Sequence, residues 1–143
     1  MTVKTILAAK GNNVVTIEPN TNVAAAAKLL AERSIGALVV TGPDRRVIGI
    51  LSERDILRVV AANGAAAFDV PLTDIMTRKV VTCSPSDKIG SIMESMTEGK
   101  FRHVPVLDQG KLVGIVSIGD LVKHRLQEME HEHTALCDYI QTA

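Results

Sequence analysis

Two serine–aspartate pairs, Ser52-x-x-Asp55 and Ser117-x-x-Asp120, carry the most suggestive chemistry in this chain. Each follows an apolar run and opens a stretch of helical character, so each serine stands where a helix is expected to begin. A helix N-terminus presents unpaired N–H groups and a partial positive charge. That is an anion site suited to phosphate, and the serine hydroxyl adds a donor. An aspartate repels phosphate but can accept from both hydroxyls of a ribose diol. Phosphate on the helix end and sugar on the carboxylate is a division of labour that fits a nucleotide. The same spacing also matches a capping box, in which the serine caps the third N–H and the acid reaches back. The two readings are compatible, since a cap can exchange partners when a nucleotide arrives.

The elements around these pairs are duplicated. Gly49-Ile50-Leu51-Ser52-Glu53-Arg54-Asp55 returns as Gly114-Ile115-Val116-Ser117-Ile118-Gly119-Asp120, 65 residues later, and Val15-Thr16-Ile17-Glu18-Pro19 returns as Val81-Thr82-Cys83-Ser84-Pro85, 66 residues later. Such a repeat fixes the architecture before single residues are read. Copy one predicts a short strand at Val14 to Ile17, with a break and capping side chains at Pro19-Asn20-Thr21-Asn22. Val23, Ala26, Ala27 and Leu30 then mark one helical face. Strands over Ala37–Val40 and Val47–Leu51 flank the turn Gly42-Pro43-Asp44-Arg45, and a helix runs from about Ser52 to Ala62. In copy two, Ile89, Ile92, Met93 and Met96 take the helical face, and Val104-Pro105-Val106-Leu107 the second strand. Asp108-Gln109-Gly110-Lys111, one residue shorter than its counterpart, is the hairpin turn. The order β-α-β-β-α, twice, predicts a mixed α/β (α+β) fold of two small sheets with helices around a shared core. Gly49 is expected to remove a side chain where a ligand approaches.

This pattern resembles the cystathionine-β-synthase (CBS) domain, in the tandem pair called a Bateman module. The resemblance rests on the duplicated Gly-x-x-Ser-x-x-Asp, the Thr-x-x-Pro before each first helix, and Arg102-His103-Val104-Pro105-Val106, and extends from about Lys10 to Arg125. It implies one module over 1–143 with pseudo-two-fold symmetry: repeat 10–64, linker 65–77, repeat 78–125, and a helical extension 126–143. It implies that Asp55 and Asp120 contact ribose, that Ser52 and Ser117 lie near phosphate, and that adenine is held partly by backbone of the first and second strands. Thr16, Ile17, Thr82, Cys83, Val104, Pro105, Ile50 and Ile115 are the strand positions so indicated, and Leu38 is a further candidate wall. Each of these has ordinary core packing as its competing role. The resemblance also implies dimerisation, often as a flat disc of two modules.

The copies differ in their cations. Arg54 faces Gly119 in the alignment, whereas Arg102 and His103 face Gly36 and Ala37. Arginine matches phosphate with a planar fork of donors, so Arg54, Arg102 and His103 are expected to neutralise phosphates between the copies, against a competing role as solvated surface charge. Downstream, Val122, Leu126, Met129, His133, Leu136 and Ile140 are spaced 4, 3, 4, 3, 4, a heptad-like seam on one long helix. That helix is expected to pack on a partner subunit or back across the module. His133 and Cys137 share metal-ligand spacing, but no third or fourth ligand accompanies them, and no metal is expected.

Composition narrows the function classes. Of 143 residues, 46% are hydrophobic and 22% charged, with 16 basic against 16 acidic side chains, so the chain is globular and lacks the overall basic charge of a nucleic-acid binder. Three aromatics, Phe68, Phe101 and Tyr139, make no stacking platform for single strands. Two cysteines make no disulfide framework, and buried Cys83 is expected to be an inert thiol. No signal peptide or bilayer-length apolar run is visible, which predicts a cytoplasmic protein without a membrane. No Ser-His-Asp or Cys-His constellation, dinucleotide fingerprint or Walker loop is present, so no enzymatic role and no required cofactor are expected. The expected function is a regulatory module binding an adenosine-containing ligand: AMP, ADP, ATP, NAD(H) or S-adenosylmethionine, with AMP or NAD(H) preferred. It would act by conformational change on a protein target the sequence does not name. The competing reading is an interaction scaffold that binds no nucleotide.

Overall fold

The computed structural model describes residues 1–142; residue 143, the last of the segment 126–143, lies outside them. Two small sheets form, one per repeat. In the first, β1 (Thr16–Ile17) runs parallel to β2 (Ala37–Thr41), which pairs antiparallel with β3 (Val47–Ser52). In the second, β4 (His103–Asp108) and β5 (Lys111–Ser117) form a hairpin. Its two-residue turn places Gln109 and Gly110 at positive φ, 53° and 79°, as a tight hairpin of this hand requires. The counterpart of β1 shrinks to one parallel bridge, Cys83 to Val106. The next N–H, that of Ser84, donates to the Asp87 carboxylate at 2.9 Å, which turns the chain toward the following helix instead of extending the strand.

Helices α2 (Val23–Arg33) and α4 (Ile89–Gly99) occupy matching places, and both end on a left-handed residue, Ser34 at φ 52° and Lys100 at φ 57°. The Asn22 side chain caps α2 by accepting from the Ala25 N–H at 3.0 Å. Val23, Ala26 and Leu30 are buried in α2, as Ile89, Ile92 and Met96 are in α4, so the apolar spacing in the sequence does face inward. Helix α3 (Glu53–Asn63) follows β3, and α5 (Ile118–Thr142) follows β5 as one 25-residue rod.

A further helix, α1 (Val3–Lys10), falls where the sequence pattern had placed none. Its Val3, Ile6 and Leu7 are buried with Cys83, Ile89, Val104, Val116 and Leu121, which is the core of the second repeat. Conversely, Ala67, Leu72 and Met76 of the connecting segment, which coils into short 3-10 turns at Gly64–Asp69 and Leu72–Asp74, are buried in the core of the first. The segment leading into each repeat therefore packs on the other repeat, and the two halves interlock.

The duplicated glycines serve this interlocking. A Cβ on Gly49 would lie 2.5 Å from Met76 Sδ, and one on Gly114 would lie 2.6 Å from Leu7 Cδ2. The expectation that Gly49 clears space for a ligand is thus corrected: it admits the crossing segment, and Gly114 does the same for α1.

Candidate functional site

Ser52 and Asp55 sit where β3 becomes α3. Ser52 is the N-cap and Asp55 the third helical residue: the Asp55 carboxylate accepts from the Ser52 N–H at 2.8 Å and from the Ser52 hydroxyl at 3.1 Å. The second copy repeats this geometry, with Asp120 accepting from the Ser117 N–H at 2.9 Å and the Ser117 hydroxyl accepting from the Asp120 N–H at 3.1 Å. Both pairs are capping boxes as the chain stands. Each also borders a recess, so the cap does not preclude a second role.

The Asp55 cleft has a volume of about 550 Å³, within the usual range for small-molecule sites. Ile50, Ser52, Arg54 and Asp55 come from the first repeat, and Arg102 and His103 from the second, so six of the residues marked in the sequence converge here. The crossing segment adds Thr77, Lys79, Val80 and Val81, and the turn after α4 adds Lys100 and Phe101. Arg54, Arg58, Lys79, Lys100 and Arg102 surround it against two carboxylates, Glu53 and Asp55. The cleft is therefore strongly cationic in a chain of zero net charge. Asp55 Oδ1 has one long ion pair, to the mostly exposed Arg58 at 3.9 Å.

The Asp120 cleft is smaller, about 330 Å³, and is lined by Ile115, Ser117, Asp120 and His103 together with Lys10, Asn13, Val14, Val15 and Ile35. Here Lys10 Nζ lies 2.7 Å from Asp120 Oδ2 and donates to the Ile115 carbonyl at 3.0 Å. Burial acts upward on the Asp120 carboxyl, but the Lys10 ammonium and the hydrogen bonds from Ser117 outweigh it and hold the group below its ordinary value.

Gly36, Ala37 and His103 line both clefts, and a Cβ on Gly36 would lie 3.3 Å from the His103 ring. The glycine thus lets the imidazole stand between them. Burial lowers the affinity of His103 for a proton; Lys10 and Arg102 act the same way, while Glu53 and Asp120 oppose them. The neutral ring is accordingly favoured.

Thr16, Ile17, Thr82, Cys83, Val104 and Pro105 line neither cleft. Ile17, Cys83 and Val104 are buried in the two cores, and so is Leu38. Burial, with a smaller push from Asp87, raises the Cys83 thiol to about 12, which keeps it protonated and unreactive. The walls the sequence reading missed, Val14 and Val15 in one cleft and Val80 and Val81 in the other, directly precede the aligned threonines. The 66-residue alignment already paired them; what it lacked was that each cleft is lined from both repeats. Phe101 was also missed, since three scattered aromatics gave no pattern. On α5, His133 Nε2 lies 3.6 Å from Cys137 Sγ, and among the described residues no group of three or more potential ligands could hold a metal ion.

A family model for the CBS domain matches residues 3–62 and 72–127. The chain belongs to the CBS domain family. The first match takes in α1, and the second starts at Leu72, so it takes in Leu72 and Met76 of the crossing segment but not the Gly64–Asp69 turn. The crystal structure of the CBS-domain containing protein ATU1752 from Agrobacterium tumefaciens is 46% identical with a TM-score of 0.84, over 87% of this chain and 99% of that one. The CBS domain-containing protein CBSX3, mitochondrial, of Arabidopsis thaliana is 37% identical over 120 residues; the match takes in 81% of this chain but 58% of that longer protein. The CBS domain pair of protein MJ0100, solved in complex with 5′-methylthioadenosine and S-adenosyl-L-methionine, is 26% identical with a TM-score of 0.79, over 90% of this chain and 98% of that one. Among the described residues, no helix is long and apolar enough to cross a membrane.

Proposed function

We propose that this CBS pair is a regulatory module, not an enzyme, that takes an adenosine nucleotide into the Asp55 cleft. The observation that carries this reading is the convergence there of a carboxylate acceptor, a capped helix end and five cationic side chains from both repeats. Asp55 accepts from the ribose hydroxyls. The N-terminus of α3, Arg54 and Arg102 meet the phosphates, and the base lies against Ile50, Val81 and Phe101. MJ0100 supports an adenosine ligand of some kind, since its CBS pair binds two of them. The charge of the cleft narrows the choice: a sulfonium such as S-adenosylmethionine gains little from five cations, whereas AMP, ATP or NAD(H) gains a charge-assisted contact with each phosphate. AMP and NAD(H) lead the class.

Because the cleft draws residues from both repeats, a ligand that binds one arrangement of the halves more tightly shifts the population toward it. The output surface on this reading is α5, whose Val122, Leu126, Met129, Leu136 and Ile140 are exposed along one seam. A second copy of the chain is the occupant the heptad-like spacing suits, giving a cytoplasmic homodimer acting on a further protein target.

Thermal melting with AMP, ATP, NADH and S-adenosylmethionine tests the function. Ligand at a hundred times its dissociation constant adds about 2.7 kcal/mol of stability. An upward shift with phosphate-bearing ligands, larger than with S-adenosylmethionine, is expected. No shift with any of the four would favour a scaffold that binds no nucleotide.

A further inference from the structure

Lys10 breaks the symmetry between the two clefts. The crossing segments correspond, because Leu7 packs where a Cβ on Gly114 would be and Met76 packs where one on Gly49 would be. Three residues beyond each stands a lysine, Lys10 and Lys79, and each lines the adjacent cleft. The next stretch differs. Lys79 runs directly into Val80-Val81, while Gly11-Asn12-Asn13 separates Lys10 from Val14-Val15. Around the first cleft the crossing chain is extended at this point: the Ile50 N–H donates to the Thr77 carbonyl at 3.0 Å, and the Thr77 N–H donates to the Ile50 carbonyl at 2.9 Å. Around the second, the chain is still helical up to Lys10, and Gly11 at φ 94° then releases it toward β1. Among the described residues, no main-chain amide of the crossing segment bonds the Ile115 carbonyl as the Thr77 N–H bonds that of Ile50. The Lys10 ammonium takes it, donating to the Ile115 carbonyl and pairing with Asp120 in the same reach.

The consequence is chemical. In the Asp55 cleft Oδ2 accepts only from the Ser52 N–H and hydroxyl, and no ammonium holds it. In the Asp120 cleft the equivalent oxygen is held by an ammonium from α1, which is itself anchored by three buried side chains. A diol that takes both oxygens of Asp120 must displace Lys10 from Oδ2, and a displaced ammonium beside a partly buried carboxylate needs a new anion. We infer that Lys10 is a specificity-determining residue that restricts the Asp120 cleft to phosphorylated nucleosides: it yields the carboxylate to the ribose only when the ligand brings a phosphate for it to pair with. This inference rests on the nucleotide-binding function proposed above and assigns the two clefts different ligand requirements. A neutral nucleoside enters the Asp55 cleft in preference to the Asp120 cleft, while AMP enters both.

The test is a titration of the intact protein with AMP and with adenosine, followed by backbone-amide NMR, with Val15 and Ile115 reporting the Asp120 cleft and Ile50 and Val81 the Asp55 cleft. Wild type and Lys10→Met are compared, with Lys10→Gln as a second variant should Lys10→Met fold poorly. In wild type, the Asp120 cleft is expected to bind AMP at least about tenfold more tightly than adenosine. Lys10→Met is expected to erase that ratio, mainly by raising adenosine affinity about tenfold in that cleft alone. An AMP-to-adenosine ratio unchanged in the variant, with AMP still bound, would overturn the inference and leave the proposed function standing. Failure of AMP to perturb either cleft in wild type would overturn both.

Discussion

Asp55 is a cap in the free chain and, on the function proposed, a ribose acceptor once a ligand arrives. The two roles separate by mutation. Ser52→Ala removes the N-cap and is expected to cost about 0.5–2 kcal/mol of stability, read as a lower midpoint in denaturant. Asp55→Asn keeps an oxygen for the Ser52 N–H but removes the charge, so it should fold and yet bind AMP at least about tenfold more weakly. His103 adds a pH dependence. Its proton affinity is lowered in the folded state by burial, so between the ordinary imidazole value and the lower folded one the unfolded chain binds more protons. The stability this group contributes is full above about pH 6.5 and declines as pH falls through that window. Thermal midpoints between pH 8 and pH 5.5 should show the decline, and His103→Gln should flatten it. Asp120, held low by Lys10 and Ser117, contributes in the same direction but only below the ordinary carboxylate range.

Among the elements, the duplicated glycine carries the most structural consequence. Gly114→Ala forces Leu7 to shift and Gly49→Ala forces Met76 to shift, each at a cost typical of overpacking, about 1–3 kcal/mol. Equilibrium unfolding should show both losses, and the partial rescue of Gly114→Ala by Leu7→Ala would confirm which contact is responsible. Here the limits of sequence reading are also plain. The apolar spacing in α2 and α4 and the hairpin at Gln109-Gly110 are local signals and were legible. So were the paired serines and aspartates, because duplication set each copy against the other. The crosswise packing of α1 and of Leu72–Met76 was not, since nothing in a linear repeat says which half a connecting segment joins. That one omission hid Lys10, Lys79 and the valine walls, and it turned a packing glycine into a supposed ligand clearance. Helix α5 was foreseen as a long rod. Deleting residues after Leu126, or placing Leu136→Glu in its seam, should reduce a dimer to monomer in sedimentation; a mass unchanged by either would remove the partner role from this helix.

At the scale of the molecule, two interlocked repeats share one wall between their clefts, where Gly36, Ala37 and His103 meet both. Neither cleft is complete within one repeat, so on the function proposed occupancy would be linked to the relative setting of the halves. On the function proposed, the Asp55 cleft binds a nucleotide through its carboxylate. Calorimetric titration of AMP into wild type and Asp55→Asn, at equal ionic strength and pH 7, measures this directly. Expected is saturable binding to wild type that weakens by at least about tenfold in the variant while its thermal midpoint stays close to wild type. No heat of binding in wild type, or equal affinity in the two proteins, would contradict it.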